Sequence, residues 1–167
     1  ALKPIQSLNL YKDGVAEALN LSDKFIALTT ASHHGETIHQ EMVDNWLKKM
    51  NLNENHLSCG PAWPWNEKDK FEAYLKYKTK RKIFHNCSGK HCGHLAVCQY
   101  KNLPIKNYQN KKHSIQKDLI RLIEDLSKYK IKNLGVDGCT LPNPLMPLKK
   151  FAFAVAQLAD YKKLNGH

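Results

Sequence analysis

Arginine is almost missing from this 167-residue chain: Arg81 and Arg121 are its only guanidinium groups, although the net charge is +11. Guanidinium is the preferred reader of phosphates and guanines. A positive charge carried by lysines scattered along the whole chain reads instead as a solvated surface, and no nucleic-acid partner is expected. A lysine-rich binder of any duplex would betray itself by steep salt dependence. Long apolar runs are missing as well. No stretch approaches the ~20 residues of a transmembrane helix and no signal peptide opens the chain, so no membrane role is expected. The five cysteines are odd in number and contain no C-x2-C pair. That excludes a zinc ribbon, argues against a disulfide framework, and suits reduced thiols in a cytoplasmic protein. Internal repeats and low-complexity tracts are not found. The length fits one domain with a substantial core.

What the chain does have is concentrated between Phe84 and Leu95, where His85, Cys87, Lys90, His91, Cys92 and His94 fall within a dozen positions. Ser88 and Gly89 followed by Leu95, Ala96 and Val97 predict a tight turn opening a helix. Helix N-termini favour thiolates and bound anions. Cys87 and Lys90 stand three apart and share a helical face. Cys139 follows a predicted strand and can approach them in the fold. Two thiolates are good soft ligands for zinc, and an open tetrahedral position holds water. Lysine can join them only when neutral, which burial and the charge of the metal would both promote. A plainer reading makes Cys87, Cys92 and Cys98 small buried residues, with His85, His91 and His94 partly exposed.

The remaining elements follow from periodicity. Pro4 suits a first helical turn before Ile5, Leu8 and Leu10. Residues 14–19 read as a second helical piece, and Ser22 or Asp23 caps a third through Phe25, Ile26 and Leu28. A loop over residues 29–36 places Ser32 among small residues and histidines, where it is a candidate catalytic hydroxyl. Residues 37–50 predict an amphipathic helix with Ile38, Met42, Val43, Trp46, Leu47 and Met50 on one face. A rigid loop rich in proline and aromatics covers residues 57–65. Residues 66–81 have a helical pattern, with Phe71, Tyr74 and Leu75 in register. Residues 100–112 read as a loop. A helix from Ser114 carries Ile115, Leu119, Leu122, Ile123 and Leu126 inward. Residues 130–136 read as a strand, which needs a partner for its backbone. A proline-broken loop follows over residues 140–147, and a last helix over residues 148–161 turns Phe151, Ala152, Val155 and Leu158 inward.

Several blocks together resemble the rhizobial-type L-asparaginases, the class 3 or asparaginase II family. Lys3-Pro-Ile-Gln6 resembles the end of the family's S-x-x-K-P-x-Q segment. Ser32-His-His-Gly-Glu36 with His39 resembles S-H-x-G-E-x-x-H. The run from Asn86 to His91 resembles N-C-S-G-K-H, and Gly135-Val-Asp-Gly-Cys139 resembles G-V-D-G-C. The loop from Cys59 to Pro64 is similar to C-G-x-x-W-P. The blocks occur in family order from end to end.

The resemblance implies an α+β fold of the serine β-lactamase and glutaminase type, an antiparallel sheet flanked by helices. It implies a zinc held by Cys87, Lys90 and Cys139, catalytic roles for Lys3 and Ser32, and substrate placement by His91 and Asp137. The activity implied is hydrolysis of L-asparagine to L-aspartate and ammonia through an acyl-enzyme, by a homodimer. The family's S-x-x-K serine, which the resemblance makes the nucleophile, would stand immediately before Ala1, and its second catalytic lysine lies beyond His167. Residues 1–167 are therefore expected to be a single domain truncated at both ends. The alternative is a zinc-binding structural or regulatory module without catalysis, which would tolerate replacement of Lys3 and Ser32.

Overall fold

A computed structural model describes residues 2–160. In chain order it contains α1 (Lys3–Ser7), α2 (Asn9–Lys12), α3 (Val15–Ala18), α4 (Asp23–Thr30), α5 (Thr37–Lys49), α6 (Glu67–Tyr77), α7 (Ser88–Tyr100) and α8 (Ser114–Ser127), then strands β1 (Asn133–Val136) and β2 (Pro142–Leu145), and finally α9 (Leu148–Ala159). Short 3-10 turns at Glu54–His56 and Lys82–Phe84 join the middle helices.

Helix α7 is the axis of the molecule. Every residue from Ser88 to Cys98 is buried, because α4, α5 and the short N-terminal helices pack around it. A helix covered on all sides must be small where neighbours come close. A Cβ on Gly89 would lie 2.5 Å from both Leu28 Cγ and the Leu28 carbonyl oxygen, and one on Gly93 would lie 2.9 Å from Thr29 Cγ2. These two glycines let α4 lie against α7, so the loop leaving α4 passes over the start of α7. The main core gathers Leu10, Val43, Trp46, Leu47, Phe84 and Leu95. A smaller core of Ile5, Ile123 and Ala154 ties α1 to α8 and α9.

The partner that the predicted strand needed lies in the next segment. β1 and β2 form a two-stranded antiparallel sheet with Gly135 opposite Asn143 and Val136 opposite Pro142. The expected proline-broken loop is thus partly a strand. Asp137 N–H donates to Leu141 O at 2.8 Å. Pairs alternate from there, so Pro142 and Pro144 fall at the positions where no ladder N–H is required. The mixed helix-and-sheet class stands. Among the described residues this hairpin is the whole sheet, which is smaller than the flanked antiparallel sheet expected.

Other expectations shift with burial. In α6 the residue facing inward is Ala73, whereas Phe71, Tyr74 and Leu75 are more than half exposed. In α9 Ala154 is buried while Ala152 and Val155 are exposed, and Phe151 and Leu158 are half-buried. Ile38 at the start of α5 is exposed, although Val43, Trp46 and Leu47 face the core as expected. Tyr161, the expected end of α9, lies outside the described residues. No described helix is long and apolar enough to cross a membrane.

Candidate active site

Four separated segments meet at one cavity of about 670 Å³, whose lining includes Lys3, Ser32, Cys87, Lys90, Asp137 and Cys139. Lys3 enters from the first turn of α1. Ser32 stands on the loop leaving α4. Cys87 and Lys90 come from the N-terminus of α7, and Asp137 and Cys139 from the turn joining β1 to β2. That turn is closed by Thr140 N–H donating to Asp137 O at 2.8 Å.

Lys3 and Ser32, both expected to be catalytic, are in contact. Lys3 Nζ lies 2.7 Å from Ser32 Oγ, 2.8 Å from Ala31 O and 3.1 Å from Asn86 O. Burial of the amine holds the Lys3 pKa below its ordinary value; Cys87 opposes this, and the positive charge of Lys90 reinforces it. The two carbonyls accept N–H bonds from two corners of the amine. The third corner faces the Ser32 hydroxyl.

The Ser32 loop is held by a residue the sequence reading left without a role. His33 is buried; its backbone N–H donates to Asn86 O at 3.3 Å, and its Nδ1 accepts from Gly35 N–H at 3.1 Å. With Nδ1 accepting, the ring proton sits on Nε2 and bonds Ser88 Oγ at 2.8 Å, which in turn donates to Ile83 O at 3.1 Å. Burial first, and then the neighbouring His39 and Lys3 charges, lower the His33 pKa to about 3. The ring is a neutral clamp between the Ser32 loop and α7. Gly35 permits the turn at φ +74°, where a Cβ would meet Phe84 O at 2.8 Å.

On the opposite wall Lys90 Nζ lies 3.2 Å from Cys139 Sγ and 3.5 Å from Asp137 Oδ2. The Cys87 thiol is drawn down to about 6, chiefly by a hydrogen bond from Cys139, with help from the Lys90 and Lys3 charges. Cys139 moves up to about 11, because Cys87 carries the charge the two thiols share and because burial opposes a second one. At Asp137 burial opposes ionisation, but the Lys90 charge, the Gly138 N–H and the single Cys139 S–H, which Asp137 Oδ2 at 3.4 Å shares with Cys87, outweigh it and lower the pKa. Among the described residues no group of three or more His, Cys, Asp and Glu side chains is placed to hold a metal ion. The convergence here is of another kind, two thiols and an amine. That donor set suits zinc in its chemistry, provided the lysine gives up its proton.

His91 does not line the cavity. It is fully buried behind Cys139 and, with His94, contradicts the plainer expectation of partly exposed histidines. Its Nδ1 lies 2.5 Å from Tyr108 Oη, which also accepts from Ser58 N–H at 2.9 Å. Tyr108 therefore donates to Nδ1 and turns the Nε2 proton of His91 toward the thiol wall. Nε2 makes no hydrogen bond of ordinary geometry there. Burial lowers the His91 pKa to about 4 despite the neighbouring Cys139. Sequence reading missed Tyr108, which sits in a segment with no periodicity to mark it. Cys59, Cys92 and Cys98 are buried free thiols outside the cavity, which for Cys92 and Cys98 fits their reading as small buried residues.

No curated protein matches the chain. A family model described as L-asparaginase II matches residues 1–166. The stretch matched carries every residue placed at the cavity, and the chain belongs to the L-asparaginase II family.

Proposed function

We propose that the protein hydrolyses the side-chain amide of L-asparagine, giving L-aspartate and ammonia through an ester on Ser32, which takes here the role that the resemblance gives to the serine before Ala1. The observation that carries this reading is the 2.7 Å contact between Lys3 Nζ and Ser32 Oγ at a cavity roomy enough for an amino acid. Lys3, neutral, takes the Ser32 proton as the oxygen attacks the amide carbon. The C–N bond then breaks, and the proton held on Lys3 passes to the departing nitrogen, which leaves as ammonia. Water next attacks the ester carbonyl and gives its proton to Lys3. Aspartate departs and Ser32 recovers its hydrogen.

Asp137, ionised and partly open to the cavity, receives the α-ammonium group of the substrate. Cys87, Lys90 and Cys139 would hold zinc, whose Lewis acidity would help to orient the amino-acid end of the substrate. His91 and Tyr108, bonded to each other, back the wall that carries Cys139. The same reading carries a serine β-lactamase-like parent fold, in which the β1–β2 hairpin is one part of a larger antiparallel sheet, and a homodimeric assembly.

Ammonia release from L-asparagine tests the reading. Ser32→Ala and Lys3→Met are each expected to lower kcat by about 10²- to 10⁴-fold, the range of general-base contributions. Unchanged turnover in both variants would overturn the Ser32–Lys3 mechanism. Absence of turnover in the unsubstituted protein, with zinc retained, would favour the non-catalytic zinc module.

A further inference from the structure

Several groups at the cavity wall can donate to the negative end of an amino acid, and they differ in whether the donor is free and held in a fixed direction. Lys3 has none to offer. Its contacts to Ala31 O, Ser32 Oγ and Asn86 O occupy all three corners of the amine, whether it is charged or neutral. Lys90 faces Cys139 and Asp137. The side-chain amides of Gln6, Asn86 and Asn143 also line the cavity, but among the described residues no hydrogen bond fixes their direction, and an α-carboxylate is best met by a donor that is fixed.

His85 supplies one. It lines the same cavity beside Asn86 and Cys87 and is half-buried. Its Nδ1 accepts the backbone N–H of Cys87 at 3.0 Å. An accepting Nδ1 carries no proton, so the neutral ring bears its hydrogen on Nε2. Among the described residues nothing takes up that N–H. The ring is also fixed in place, because the bond to Cys87 N ties it to the turn that opens α7. The result is an oriented donor on a rigid element, at no cost in substrate-induced ordering.

We propose that His85 is a specificity-determining residue, whose Nε2–H receives the α-carboxylate of the amino-acid substrate. The proposal rests on the amidohydrolase reading and deepens it. With Asp137 on the α-ammonium group and His85 on the α-carboxylate, the cavity recognises both ends of a free amino acid and leaves its side-chain amide to Ser32. Amides lacking a carboxylate would bind poorly although their reacting group is the same.

Two variants and two substrates test it. His85→Asn keeps an oxygen acceptor for the Cys87 N–H but has no atom at the Nε2 position. His85→Gln restores an N–H near Nε2. Steady-state ammonia release is measured with L-asparagine and with 3-aminopropanamide, the same amide without its carboxylate. His85→Asn is expected to raise KM for L-asparagine about tenfold or more, as for loss of a hydrogen bond to a charged group. The kcat is expected to stay within about threefold, kcat/KM for 3-aminopropanamide to be unchanged, and His85→Gln to recover part of the lost affinity. An unchanged KM for L-asparagine in His85→Asn would overturn the assignment and leave the amidohydrolase reading standing. Equal losses on both substrates would also overturn it and make His85 merely structural. No turnover of L-asparagine by the unsubstituted protein would contradict the proposed function, and the carboxylate assignment would fall with it.

Discussion

Lys3 is asked to do something an ordinary surface lysine cannot, which is to accept a proton near neutral pH. Its burial, the carbonyl contacts that use two of its hydrogens, and the Lys90 charge all bear on that task. Lys3→Arg makes a sharp test, since arginine keeps the positive charge and the donors but does not deprotonate in proteins. Its kcat is expected to fall about as far as that of Lys3→Met, and activity within about tenfold of the unsubstituted protein would contradict a base role. The residues of this site were unevenly legible. Cys87 and Lys90 could be paired from their helical spacing, and Ser32 stood out as a hydroxyl among small residues and histidines. The Lys3–Ser32 contact spans 29 positions and no local rule joins them; the motif resemblance gave each a catalytic role without pairing them. Tyr108 and His85 were not given roles, because a role made of one hydrogen bond to a distant partner leaves no trace in periodicity.

Helices α4 and α7 hold the site by their closeness, and that closeness depends on Gly89. A Cβ there would meet both the side chain and the backbone oxygen of Leu28 at 2.5 Å, so no rotamer change relieves it. Gly89→Ala is expected to destabilise the protein by about 1–3 kcal/mol, read as a lower urea midpoint. It is also expected to lower kcat, since α4 leads directly to Ser32; full stability with full activity would show that the two helices part without consequence. Amphipathic helices were the most legible elements. The α8 stripe of Ile115, Leu119 and Ile123 is buried as its period predicts. Helix α6 shows the limit of that signal, because its most apolar stripe faces outward and a small alanine faces in. Strand β2 was hidden by its two prolines, which the antiparallel alternation tolerates at the non-bonded pairs.

Across the whole molecule, buried neutral histidines link stability to pH. Burial depresses His94 to about 3, and His33 is also depressed to about 3, from an ordinary value of 6.5. Both are neutral in the fold and protonate more readily in the unfolded chain. Their contribution is fully present above about pH 6.5 and is lost as the pH falls from there toward 3. The urea midpoint is expected to drop between pH 7 and pH 4.5, and to drop less in His94→Gln; an equal drop in that variant would show that His94 is not part of the link.

The claim that organises the account is a covalent intermediate on Ser32. The measurement that reaches it most directly is acid quenching of the protein during turnover of L-asparagine, followed by peptide mass spectrometry. The account predicts an added aspartyl group on the peptide containing Ser32, present during turnover and absent in Ser32→Ala. Steady ammonia release with an unmodified Ser32 peptide, or with the aspartyl group on another residue, would contradict it.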